Sequence, residues 1–205
     1  MIFKIYKIRK IIPSLLLLSF AVISLFLYFL NKQMKDYSNV IRQEERSIET
    51  EFINRNKELN EKLSNSKVQN VMIEDIKSNQ CSLSDLATTN PILIYRYSEL
   101  NCNTCYETET ILLKSIFENY QNKVVILCSY EMRQHFMTFK RINRISFPIY
   151  RIAKDAFDWE LEDYSEPYYF VLHPDMRISR IYMPNINYPE MNKQYLEGIK
   201  RFLIN

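Results

Sequence analysis

The sequence predicts an α/β domain, and three observations predict it. Pro91 opens an apolar run that leads into Cys102-Asn103-Thr104-Cys105 and from there into a stretch with helical spacing. A second apolar run, KVVILCS at 123–129, follows that helix, and strand, helix, strand in this order implies a parallel pair joined by a crossover. A hairpin pattern and an amphipathic segment then close the chain. With 47% hydrophobic and 14% aromatic residues among 205, the composition is globular and leaves room for one domain with appendages.

At the N-terminus, Lys4, Lys7, Arg9 and Lys10 make residues 1–10 a basic segment. Residues 11–30, IIPSLLLLSFAVISLFLYFL, are an uncharged run of the length a helix needs to cross a ~30 Å hydrocarbon core. The run ends in Leu27-Tyr28-Phe29-Leu30-Asn31 without the small-residue site at which a signal peptide is cut, so it reads as a single transmembrane anchor. The basic flank places residues 1–10 in the cytoplasm and the rest outside it, on the periplasmic side of a bacterial inner membrane. These four cations exceed the net charge of +3, so the remainder is slightly acidic and no nucleic-acid partner is expected. Gly198 is the only glycine, which excludes a glycine-rich phosphate loop.

Residues 31–70 are polar, contain neither Pro nor Gly, and predict a helical stalk. Met34, Tyr37, Ile41 and Ile48 fall at partial heptad spacing, but Glu44, Glu51 and Arg55 interrupt the seam, so a solvated spacer is expected rather than a strong coiled coil. The folded domain is assigned to 71–205. Within it, 71–76 and 80–86 predict two short strands, the second ending in a helical turn. Helices are expected over 131–143 and 188–203, with a strand at 147–152. Residues 168–173 and 177–183 flank Pro174-Asp175-Met176 and make the hairpin.

Two thiols three positions apart, where a strand hands over to a helix, can reach each other. The first stands near the positive end of a helix dipole, which favours thiolate. Cys102 is therefore the expected nucleophile and Cys105 the thiol that resolves a mixed disulfide. A zinc site would need about four ligands, and no second Cys-x-x-Cys or His pair follows. Haem attachment would need His where Tyr106 stands.

The Cys-x-x-Cys at the strand-to-helix junction, the strand and helix after it, and Pro167 immediately before a hairpin and a last helix resemble the thioredoxin fold, a central mixed sheet flanked by helices. With Cys81-Ser82-Leu83-Ser84-Asp85-Leu86 ahead of the central strand, the chain is similar to membrane-anchored bacterial thioredoxin-like thiol–disulfide oxidoreductases of the redoxin and cytochrome-maturation type. The resemblance spans 71–203. It implies exchange with protein thiols and disulfides through the Cys-x-x-Cys pair, no bound cofactor, and a membrane thiol carrier as electron donor. It also implies that Pro167 is a cis-proline lying against the disulfide, with Glu166 facing the site. The family usually carries Trp before the first cysteine and Pro before the second, where this chain has Asn101 and Thr104, and its hairpin glycine is missing. Those departures bear on potential and substrate more than on fold.

Acids surround the motif. Glu99 precedes it and Glu107 and Glu109 follow in the first helical turns; near the thiols their charge opposes thiolate and favours a reductase, whereas pointing into solvent it does little. Cys128, inside an apolar strand, reads as a small buried hydrophobe, and Cys81 as a strand residue or a third redox thiol. His135 and His173 read as surface residues. Two other functions fit the same motif: a Cu(I) carrier with Cys102, Cys105 and a distant His173 as ligands, and a non-enzymatic interaction module with a structural disulfide.

Overall fold

The computed structural model describes residues 2–99, 103–162 and 166–204, and their side chains except at 2–19, 21 and 103–106. The chain divides into two compact units at Asn54 and Arg55.

The first unit is helical throughout its described length and belongs to α1, Ile2–Leu63. Its described side chains are almost all exposed, as a sequence of Glu, Lys, Arg and Asn with scattered apolar residues requires. Among the residues whose side chains are described, no helix is long and apolar enough to cross a membrane; half of the apolar run at 11–30 lies outside them.

The second unit begins at Arg55, so the final turns of α1 fold with it. Leu59 is 5% exposed and joins the main apolar cluster. Asn60 Oδ1 accepts from the Ile181 amide at 3.0 Å, and Asn56 Oδ1 accepts from the Met183 amide at 2.7 Å while its Nδ2 donates to the Met183 carbonyl at 3.3 Å. Two carboxamides at i and i+4 thus satisfy outward backbone groups of an edge strand that would otherwise be open to pairing. Asn65, in the left-handed region with φ 70°, turns the chain out of the helix, as Asn commonly does there.

A seven-stranded sheet follows, in the order β2-β1-β5-β4-β3-β6-β7. The strands are β1 Met72–Glu74, β2 Gln80–Ser82, β3 Ile92–Ser98, β4 Val124–Ser129, β5 Ile149–Arg151, β6 Tyr168–Leu172 and β7 Ile178–Tyr182. The helices of this unit are α2 Asn103–Phe117, α3 Arg133–Ile142 and α4 Pro189–Ile204. Strands β3, β4 and β5 are parallel, linked by α2 and α3, and the others pair antiparallel. The three central strands β3, β4 and β6 are buried almost end to end, which is why they read as continuous apolar runs rather than alternating ones.

Alternation along β3 separates two layers. Ile92 and Ile94 join Val125, Leu127, Phe170, Leu172 and Leu59 in one cluster. The opposite face carries tyrosines toward the helices: Tyr97 stacks on Phe139 of α3 at 5.2 Å, and Tyr95 on Tyr169 at 4.7 Å. The hairpin lacks the expected glycine because Met176 takes the left-handed conformation itself, with φ 66°, and its amide donates to the His173 carbonyl at 2.9 Å. The turn between β1 and β2 is built on Asp75, whose carboxylate accepts from the amides of Lys77 and Asn79.

Candidate functional site

The Cys-x-x-Cys motif sits where β3 passes into α2. Cys102 lies outside the described residues. Cys105 is in the first turn of α2, and its side chain lies outside the description.

Pro167 is buried and stands immediately ahead of β6. The antiparallel register pairs Tyr168 with Arg96, so Pro167 falls level with Tyr97, at the end of β3 that leads to the cysteines. Backbone pairing thus brings Pro167 to the motif's end of the sheet. The expectation of a cis bond is corrected, since no cis peptide occurs among the described residues and the Glu166–Pro167 bond is trans. A proline just before the first residue of a strand has no ladder N–H to lose and holds an extended backbone without isomerising. Glu166 is likewise not committed to the motif: its half-exposed carboxylate pairs with Arg55 at 3.0 Å.

The other acids separate. Glu99 Oε1 accepts from the Glu131 amide at 2.9 Å, tying the end of β3 to the start of the α3 segment. Glu107 is exposed. Glu109 is 3% exposed: its Oε2 accepts from the Tyr169 hydroxyl and its Oε1 from Asn192 Nδ2, each at 2.7 Å. Burial pushes its pKa up, and the two hydrogen bonds only partly oppose this.

Sequence reading missed one charged feature. Arg96 lies inside apolar β3 at 2% exposure, and its guanidinium grips Glu162 with two bonds of 2.9 and 2.7 Å while donating to the Tyr97 carbonyl at 2.9 Å. Glu162 Oε1 also accepts from the Tyr168 hydroxyl at 2.6 Å, and Trp159 Nε1 donates to that hydroxyl at 3.0 Å. An arginine in a strand whose neighbours are all apolar must find an anion, and that requirement was the available signal. Burial alone would lower the pKa of Arg96, but its bonds to Glu162 raise it overall.

The remaining thiols are not activated. Cys128 is fully buried, its thiol 3.4 Å from the Tyr150 carbonyl, and burial raises its pKa far above the usual range, as a small hydrophobe in a strand should behave. Cys81 is half-buried in β2, and burial, then Asp85 and Asp75, push its pKa up, which gives a third redox thiol no support.

His135 is a surface residue, as expected, 3.8 Å from Glu99. His173 is half-buried instead, its Nε2 2.7 Å from the Ser179 hydroxyl, with burial lowering its pKa. It follows Leu172, which pairs with Ile92, so it lies at the other end of β3 from the motif, about 20 Å away at the usual strand rise. The sheet therefore does not bring His173 to the cysteines, and among the described residues no cluster of three or more His, Cys, Asp and Glu could hold a metal.

A cavity of about 370 Å³ opens at the carboxyl ends of the parallel strands, lined by Ser98, Glu99, Ser129, Tyr130, Arg151 and Lys154 among others. Open α/β sheets place their sites at these strand ends. Solved structures share this fold. The thioredoxin domain of a thiol-disulfide oxidoreductase from Bacteroides vulgatus superposes with a TM-score of 0.51 at 14% identity, covering 68% of this chain and 97% of its own. A thiol:disulfide interchange protein from Bacteroides sp. gives 0.54 at 14% identity, covering 69% and 91%.

The fold is thioredoxin-like.

At such identities the likeness speaks to fold alone, and the register here sets Pro167 level with the end of β3. No protein-family model matches the chain, and no curated protein matches it.

Proposed function

We propose that the protein is a membrane-anchored, extracytoplasmic thiol–disulfide oxidoreductase that reduces protein disulfides through Cys102 and Cys105. The observation that carries this reading is the position of the Cys-x-x-Cys pair, at the junction of the central strand and the helix after it, on a thioredoxin-like sheet whose register sets Pro167 at the same end. Cys102 attacks a substrate disulfide as thiolate and forms a mixed disulfide; Cys105 then attacks Cys102, the substrate leaves reduced, and the Cys102–Cys105 disulfide remains. Two electrons must return from a donor, for which a membrane thiol carrier is suited. The anchor rests on the uncharged run at 11–30 and the orientation on the basic segment before it, which together put the domain where disulfides form and persist.

Trapping tests the exchange. Cys105→Ser in the full chain, expressed in cells, is expected to accumulate covalent adducts through Cys102 that dithiothreitol releases. A folded Cys105→Ser protein that collects no adduct removes this function and leaves the interaction module with a structural disulfide.

A further inference from the structure

A second cavity, of about 630 Å³, lies against the exposed side of α3 and shares no lining residue with the one at the strand ends. Lys140, Arg141 and Arg144 line it together with Met137, Thr138 and the half-buried Ile76. Among the described residues no Asp or Glu lines this cavity, and none of the three cations forms an ion pair or a side-chain hydrogen bond. Glu118 shares a neighbouring, smaller cavity with Arg144 without pairing with it. Like charges gathered at one helix end repel one another, so the cluster is unfavourable until an anion joins it. The helix dipole does not account for it: Lys114 Nζ from α2 already bonds the Asn143 carbonyl, at 2.7 Å, where α3 ends.

The backbone singles out Arg144 as well. Its amide donates to the Arg141 carbonyl at 3.3 Å and the Ile145 amide to the Lys140 carbonyl at 3.1 Å, which closes α3 on a residue in the left-handed region, φ 47°. Glycine is the usual residue there, because a Cβ is disfavoured at such φ. An arginine in that position gives up backbone stability and sets a guanidinium at the cavity.

We propose that this cavity binds a small phosphate monoester that carries an apolar group. The charge count selects phosphate: a monoester carries about −1.5 to −2 near neutral pH, and three unpaired cations match it better than they match a single carboxylate. Arg141 and Arg144 offer planar donor forks suited to phosphate oxygens, Lys140 adds a point charge, and Thr138 a hydroxyl donor. Ile76 and Met137 give the apolar group a wall. A soluble organophosphate and the headgroup of phosphatidic acid both present this chemistry. The site stands independently of the thiol exchange proposed above.

The test is calorimetric titration of hexyl phosphate into the full chain in neutral detergent micelles, against micelles alone. Wild type is expected to bind a single equivalent saturably, and inorganic phosphate at least about threefold more weakly for want of the apolar contact. Arg144→Gly removes the guanidinium and suits the left-handed backbone, so it is expected to weaken hexyl phosphate about tenfold or more while thermal stability holds or rises. Arg141→Gln is expected to weaken binding to a similar degree, and Arg46→Gln, exposed on α1, to leave it unchanged. In phosphatidylcholine vesicles, phosphatidic acid that competes with hexyl phosphate where an equal charge of phosphatidylserine does not assigns the site to a lipid headgroup; no competition assigns it to a soluble ligand. No saturable binding by wild type, equal affinity for the two anions, or affinity that survives both arginine substitutions in folded protein overturns the proposal.

Discussion

On one face of the sheet Glu162 is buried against Arg96, and on the other Glu109 is buried against a tyrosine and an asparagine. Both carboxylates accept a tyrosine hydroxyl from β6, Tyr168 for one and Tyr169 for the other, because successive residues of a strand point to opposite faces. The difference is the counter-charge. The Arg96 pair is a bidentate clamp that joins the central strand to the segment before Pro167, and its strength lies in the cost of breaking it. Among the described residues no cation pairs with Glu109, and burial raises its pKa. One sheet thus holds a carboxylate paired with a cation and one held by neutral donors, back to back.

The largest expected effect breaks the clamp. Arg96→Met leaves Glu162 buried without its cation and should destabilise the domain by about 3–5 kcal/mol in urea unfolding. Replacing both partners, Arg96→Met with Glu162→Leu, should recover most of that loss; a double variant no more stable than the single one would show that the pair does more than neutralise itself.

A smaller effect asks how far the clamp's face extends along the chain. Leu59→Ala in the last turns of α1 should cost about 2–4 kcal/mol, as a buried leucine does, whereas Ile48→Ala, 52% exposed in the first unit, should stay within about 0.5 kcal/mol. Equal effects at the two positions would deny that the second unit starts at Arg55.

The smallest sharpens the titrating side. Glu109 holds its proton to higher pH in the folded state than in the unfolded chain, whose carboxyl sits near the ordinary 4.5, because burial penalises the charge. The native state therefore binds more protons above that value, and stability falls as pH rises from there through the folded pKa, then levels. Glu109→Gln lacks this fall, so its stability relative to wild type should be more favourable at pH 8 than at pH 4; a difference that stays constant with pH would mean that the carboxyl does not titrate on folding.

The alternation of strands and helices, the hairpin and the closing helix were all legible, because apolar runs bounded by polar turns state burial directly. The start of the folded unit was not. Residues 55–63 are as polar as the rest of the stalk, and only partners more than a hundred positions away make Asn56 and Asn60 part of the sheet edge. His173 was misplaced for a similar reason: sequence spacing says nothing about which end of an antiparallel pair a residue reaches.

By itself the sequence determined the α/β class and the place of Cys102 and Cys105 at a strand-to-helix junction, since both follow from local periodicity. It also identified Glu109 as a charge near the motif without saying whether it would be buried, and it passed over Arg96. Only the tertiary structure decided that Arg96 finds Glu162, that Glu109 is held by Tyr169 and Asn192, and that Pro167 arrives trans at the motif's end of the sheet. A charge's partners are chosen by strand register and helix packing, and these bring together residues that the chain holds far apart.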